Sequence, residues 1–195
     1  WDFGASFSND FSVQVDKGIA KQLKASQKQV LTLRVWNNKN LVGITTTSDL
    51  SENGLKKALY QANLASDYGN KNELTDFSPL AKEPIKKINE TKRSPSGIKK
   101  LLKTLKIAEN ELLNKHSAIK TIPYNGLSES FFKRIYANSE GAERSYEKSQ
   151  AAIYLYARAE ENNKKPRSSG SVKIGYGLED IDINSCIDEA AEKTI

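Results

Sequence analysis

The chain has 195 residues and a formal net charge of +6, the length of one ordinary domain or of two small ones sharing a core. One histidine and one cysteine exclude a His-rich zinc site, a Cys-Cys zinc ribbon and an internal disulfide, and the lone thiol reads as a cytoplasmic setting. The apolar fraction of 37% lies below the roughly 45–50% of typical domains, which predicts a thin core, and no apolar run nears the roughly 18 residues of a membrane span.

Residues 12–16 alternate with period two, Asp16-Lys17-Gly18 supplies a turn, and residues 19–27 continue as a second strand. Residues 30–36 are β-branched and aromatic, and the turn Asn37-Asn38-Lys39-Asn40 leads them into a strand over 41–47. Ser51 then caps a helix, with Glu52 in its first turn and Leu50 and Leu55 spaced as a hydrophobic staple. Its expected buried stripe is Leu55, Ala58, Leu59, Ala62 and Ala65. Residues 66–97 turn to Asn, Lys, Pro and Ser and read as a linker. From Ile98 the series Leu101, Leu102, Leu105, Ala108, Leu112 marks an amphipathic helix. Strands near 119–124, 130–137, 144–159 and 172–176 follow, and then a helix capped by Asp182 or Asn184.

The second half returns to the pattern of the first. Residues 18–27 align with 141–150 without a gap, placing Ser26-Gln27 opposite Ser149-Gln150, and the later strands, turn and helix follow in step. The expected fold is therefore α+β, with two similar halves, each a mainly antiparallel sheet of about four strands with flanking helices. The expected boundaries are 1–67, a linker over 68–97, and 98–195. With no methionine, not even an initiator, the chain reads as a piece of a longer product cut at both ends. A helix upstream of Trp1 would complete the first half, and Trp1, Phe3, Phe7 and Phe11 would then seek cover from a neighbouring chain, so a dimer is expected.

Chemistry by spacing is sparse. His116 closes the long helix, where a ring nitrogen is expected to bond terminal carbonyls. Cys186, in the first turn of the last helix, holds a position that can lower a thiol pKa, yet it reads as structural because no His or second Cys is near in sequence. Glu160-Glu161 and Asp188-Glu189 read as solvated pairs, and Gly175-Tyr176-Gly177 lacks the setting of a phosphate loop. The basic stretch from Lys82 to Lys106 is the strongest nucleic-acid signal. It has no interleaved aromatics for stacking, so a solvated face is the favoured reading. No catalytic, metal-binding or cofactor-binding residue is assigned.

Leu31 to Leu50, read as Leu-x-Leu-Arg-Val-x-Asn-Asn-Lys-x-x-Val-Gly-x-x-x-Thr-Ser-Asp-Leu and followed by Ser51 and an Ala-rich helix, resembles the N-terminal domain of the TldD/PmbA peptidases. Tyr136-Ala-Asn138-Ser139-x-Gly141 is similar to that family's second turn, and Ala159-Glu160-Glu161-Asn162 resembles its PmbA branch, also called TldE. The resemblance extends over nearly the whole chain.

It implies an α+β N-terminal domain of a cytoplasmic zinc metallopeptidase system that trims or matures peptides, in which TldD-like and PmbA-like subunits associate. The zinc histidines of the TldD branch belong to a His-Glu-x-x-x-His helix expected beyond this chain, so no residue here inherits that role, and zinc is expected only in a partner subunit or downstream domain. The implied function is a non-catalytic scaffold and interaction domain that helps admit extended peptides. The expected partners are a TldD-like or identical subunit and an extended peptide, not a membrane or nucleic acid. The alternative, suggested by the family's older label of gyrase modulator, is a nucleic-acid-binding module using Lys82 to Lys106.

Overall fold

The computed structural model describes residues 1–69, 77–83 and 93–195. Its strands are β1 (Asp2–Asp16), β2 (Ile19–Trp36), β3 (Val42–Thr47), β4 (Ile119–Asn138), β5 (Glu143–Ala159) and β6 (Arg167–Gly175). Its helices are α1 (Glu52–Ser66), α2 (Ile98–Asn114) and α3 (Ile183–Thr194). The six strands form one sheet in the order β3-β2-β1-β4-β5-β6, so the fold is α+β. Strands expected to be separate are continuous, which replaces four strands per half with six among the described residues. Nothing between residues 27 and 30 breaks β2, and the period-two run Phe3-Ala5-Phe7 starts β1 ten residues earlier than expected. Most of the stretch expected to be a linker lies outside the described residues.

The chain divides into two compact units. Unit 1 comprises Trp1–Ser8, Gln27–Glu90 and Phe132–Glu147. Ala5, Leu31, Leu33 and Ala62 form its core, with Phe3, Phe7, Val35, Leu50 and Ile135 packed around them. Ser51 caps α1 by accepting from Gly54 N–H at 3.1 Å. The buried side of α1 differs from the expected stripe: Gly54, Ala58, Ala62 and Ser66 face in, while Leu55 and Leu59 face out. The cause is β3. A Cβ added to Gly43 would lie 1.9 Å from the Ala62 carbonyl oxygen, so the helix rests directly on strand backbone and only small residues fit between.

Unit 2 comprises Asn9–Ser26, Thr91–Phe131 and Lys148–Ile195. Leu101, Leu105, Ala108 and Leu112 of α2 and Cys186, Ile187, Ala190 and Ala191 of α3 pack with Val13, Val15, Ile153, Leu155 and Ala157. Phe11 joins this core, Phe3 and Phe7 join that of unit 1, and Trp1 stacks on Phe3 at 6.2 Å. Most of the aromatic cluster expected to need a neighbouring chain is thus packed within the chain itself.

Pro123 and Gly126 look like the end of a strand, yet β4 runs through them. Proline offers no N–H to a ladder, and, two residues on, the Asn125 side chain bonds the backbone of β1. Its Oδ1 accepts from Val15 N–H at 3.0 Å and its Nδ2 donates to Val15 C=O at 2.9 Å, so the amide acts as a substitute peptide unit. Gly126 leaves room for the Tyr154 ring, which a Cβ would approach to 2.5 Å. At the β1–β2 turn, Lys17 and Gly18 both have positive φ, the geometry of a tight two-residue hairpin. The buried Glu109 of α2 accepts both of their N–H groups, at 3.1 and 2.6 Å. Replacing Asn125 with alanine orphans both polar groups of the buried Val15, at about 1–3 kcal/mol for each. Denaturant titration is expected to show that loss; a change within about 0.5 kcal/mol, the size of an ordinary surface substitution, would mean that water takes over the role of the amide.

Candidate functional site

Of the three family-like motifs, Leu31 to Leu50 and Tyr136 to Gly141 are in unit 1 and Ala159 to Asn162 is in unit 2; the polar side chains of the first two hold backbone or a neighbouring strand. Asn37 Oδ1 accepts from Lys39 N–H at 2.9 Å and Leu41 N–H at 3.1 Å, with Asn40 left-handed three residues on. Asn138 Oδ1 accepts from Glu140 N–H at 3.1 Å and Ala142 N–H at 3.0 Å, with Gly141 left-handed at the same offset. The two loops are one device used twice. Arg34 forms a two-pronged pair with the buried Asp2, its Nε donating at 2.7 Å, and lies over the Trp36 ring at 5.4 Å. Tyr136 donates to Asp2 and accepts from Asn138 Nδ2, each at 3.4 Å. Asp49 Oδ1 accepts from Ser51 N–H at 3.0 Å, and these bonds to Ser51 hold the Asp49 carboxyl below its ordinary range.

In unit 2 the polar cluster ahead of α2 is equally committed. Both oxygens of the buried Glu129 accept backbone N–H groups, from Ser96 at 2.7 Å and Leu178 at 3.2 Å. Arg93 donates its backbone N–H to Ser149 Oγ at 2.9 Å and forks onto Asp180 at 2.9 and 2.8 Å. Gly175 and Gly177 give this pair room: a Cβ on them would lie 3.0 Å from Asp180 and 2.7 Å from Arg93. The cavity there is about 10 Å³, about the room for one water.

The remaining candidates are accounted for locally. His116 does not bond helix-end carbonyls; its Nδ1 accepts from Ala118 N–H at 3.1 Å as the chain turns into β4. Cys186 is fully buried, its Sγ 3.6 Å from the Ser171 carbonyl, and burial pushes the thiol up, opposite to the lowering that its helix position allows. Glu160 pairs with Arg158, and Glu161 with Lys164 and Arg167. Asp188 pairs with Lys115. In the basic stretch, Lys86, Lys87, Lys92 and the Lys82 side chain lie outside the described residues; Arg93 is held by Asp180 and Lys100 meets Glu179 at 3.3 Å. Among the described residues no three His, Cys, Asp or Glu side chains group as a metal site, and no helix is long and apolar enough to cross a membrane.

The sequence reading passed over one cleft of about 420 Å³ in unit 1. Phe7 of β1, Lys28 and Val30 of β2, and Phe132 and Arg134 of β4 line it, with Ser6 beside them. Its residues are dispersed along three strands in runs that read as ordinary period-two pattern, so no local motif could have marked it.

Glu189 of α3 is a hub that the paired-carboxylate reading did not anticipate. Lys173, Lys193 and the Ser171 hydroxyl all bond it, which lowers its pKa from about 4.5 to about 2. A depressed folded-state pKa contributes stability above the unfolded value and loses it as pH falls through the folded one. The melting temperature of the chain is therefore expected to exceed that of Glu189→Gln at pH 6, and the gap to narrow from pH 4.5 to 2. A gap independent of pH would assign the effect to packing.

Residues 85–195, more than half of the chain, match the family model described as PmbA/TldA metallopeptidase central domain. Among solved structures, a protein described as a modulator of a DNA gyrase from Thermotoga maritima superposes with a TM-score of 0.79 at 18% identity, over 99% of this chain and 44% of that one. TldE from Thermococcus kodakarensis gives 0.78 at 16% identity over 99% and 43%. A modulator of DNA gyrase from Bacteroides thetaiotaomicron gives 0.77 at 13% over 99% and 44%. At these identities the superpositions speak for the fold alone, and this chain spans less than half the length of each of the three. No functionally curated protein matches it. With its fold shared along the whole length and a family match over more than half of it, this chain belongs to the PmbA/TldD metallopeptidase family.

Proposed function

We propose that this chain is a non-catalytic scaffold and interaction domain of a peptidase system of the PmbA/TldD type, closer to the PmbA branch, and that it assembles with a TldD-like or identical subunit. The observation that carries this reading is the inverted face of α1. Small residues are turned inward, while Leu55, Leu59, Tyr60 and Leu64 stand 39%, 47%, 64% and 47% exposed. Leu55 with Leu59, and Tyr60 with Leu64, form two exposed apolar i,i+4 pairs flanking Lys56 and Asn63, the mixed surface of an interface. The polar clusters of both units support the same reading, because their side chains are engaged with the chain's own backbone or with each other and are not turned toward a substrate. Extended peptides suit the β6 edge, which pairs with β5 on one side only and offers nine residues for main-chain bonding.

The test is co-purification of the chain with a TldD-like subunit, together with peptide cleavage by each alone and by the mixture. The pair is expected to associate and cleave, with the chain alone inactive and binding no stoichiometric zinc. Leu59→Glu combined with Leu64→Glu should abolish association while leaving the melting temperature nearly unchanged. Unaltered association in that variant, or chelator-sensitive cleavage by the chain alone, would overturn the proposal. DNA is expected to bind no better than ~10⁻⁴ to 10⁻⁶ M at physiological salt, the non-specific range. Nanomolar binding lost on replacing Lys99, Lys100 and Lys103 would instead favour the nucleic-acid reading.

A further inference from the structure

We propose that the cleft between Phe7, Val30 and Phe132 in unit 1 binds the C-terminal carboxylate of an extended peptide whose last side chain is apolar; the choice of a peptide over other carboxylate-bearing molecules rests on the peptidase-system reading above.

Charge carries the argument. Among the described residues the cleft is lined by two cations, Lys28 and Arg134, and by no acid. The chain's other arginines are all occupied: Arg34 by Asp2, Arg93 by Asp180, Arg158 by Glu160, Arg167 by Glu161, and Arg144 by the Glu83 and Glu143 carbonyls. Among the described residues Arg134 has no carboxylate partner; its guanidinium lies over the Phe132 ring at 5.8 Å. That contact holds the guanidinium plane while leaving its fork of N–H donors for a ligand. Glu147, on the adjoining strand, is engaged by Lys133 at 3.0 Å.

Shape narrows the ligand. A volume of about 420 Å³ is at the low end for small-molecule sites, which suits a chain end better than a segment passing through. Phe7, Val30 and Phe132 provide apolar surface for one side chain. The donors are Arg134, whose planar fork matches a carboxylate, and Lys28, a point charge. A phosphate is the poorer fit. All the described lining residues belong to strands, so among them there is neither the helix N-terminus nor the glycine-rich nest on which phosphates are usually held.

The test is calorimetric titration of the chain with N-acetyl-Ala-Ala-Phe as the free acid and as the C-terminal amide. The acid is expected to bind and the amide to bind at least about tenfold more weakly, the scale of a lost charge-assisted pair. Arg134→Gln should weaken the acid by about tenfold and leave the amide unaffected, with Arg134→Lys between them because an ammonium cannot fork. Arg134 and Lys28 are exposed, so thermal melts of Arg134→Gln and Lys28→Gln are expected to overlay that of the parent. Equal affinity for acid and amide would overturn the proposal, as would acid binding unchanged in Arg134→Gln or displacement of the peptide by equimolar inorganic phosphate. The acid–amide comparison needs no variant, so it stands even if a substitution disturbs folding. Because the readout is binding to the chain alone, a negative result here is distinct from failure of subunit association.

Discussion

Four strands of 15 to 20 residues, at roughly 3.3 Å per residue, each run about 50–65 Å. The longest helix has 17 residues, about 25 Å. No helix can cover such a strand from end to end, and that mismatch shapes the rest of the chain. Burial falls in two core clusters, one on α1 and the other on α2 and α3. The mismatch accounts for the low apolar fraction: a long strand needs an apolar face only where a helix lies over it. Val172, Ile174, Tyr154 and Tyr156 show the complement in unit 2, where alternate residues of β5 and β6 point away from the core, most of them left exposed.

Strands this long must also be kept in register. The chain uses polar side chains as substitute backbone. Asn125 bonds both backbone groups of Val15, Glu109 gathers the N–H groups of a hairpin turn, and Glu129 ties Ser96 ahead of α2 to Leu178 after β6. Asn37 and Asn138 close their loops from inside. Each bond is worth little net, but a buried group left unpaired costs more than the bond contributes. These side chains therefore penalise other registers more than they stabilise the native one.

The legibility of the sequence follows from the same physics. α2 was readable because its apolar positions hold a strict helical period after Gly97, and α1 and α3 because Ser51 and Asp182 are good caps. Strand extents were harder to read. Pro123 and Gly126 are local breakers overruled by a side-chain bond to Val15, 110 residues away in sequence, which no window of sequence contains. The inward face of α1 was misread because the larger residues of a helix normally face the core, and here the close approach to Gly43 reverses that order. The cleft was invisible because Lys28 and Arg134 gain meaning only when three strands bring them to one place. The motif residues were legible as a family signature, yet their work is turn closure and strand pairing, so recognising them pointed to the fold and not to a reactive centre.

That distinction bears on how a fold persists at 13% to 18% identity with TM-scores of 0.77 to 0.79. A period-two strand accepts many apolar residues on its buried face. A five-residue Asx-closed loop demands much more: a short acceptor side chain at its first position and a residue tolerant of positive φ at its fourth, here Asn37 with Asn40 and Asn138 with Gly141. The loops therefore specify the fold more tightly per residue than the core does. The contrast is strongest in unit 1, whose described core has four buried apolar residues against nineteen in unit 2. Local stability scales with buried apolar contact, so the elements of unit 1 depend more on Arg34–Asp2 and the two loops. The unit with the smaller described core is also the one that carries the outward leucines of α1 and the cleft at Phe7.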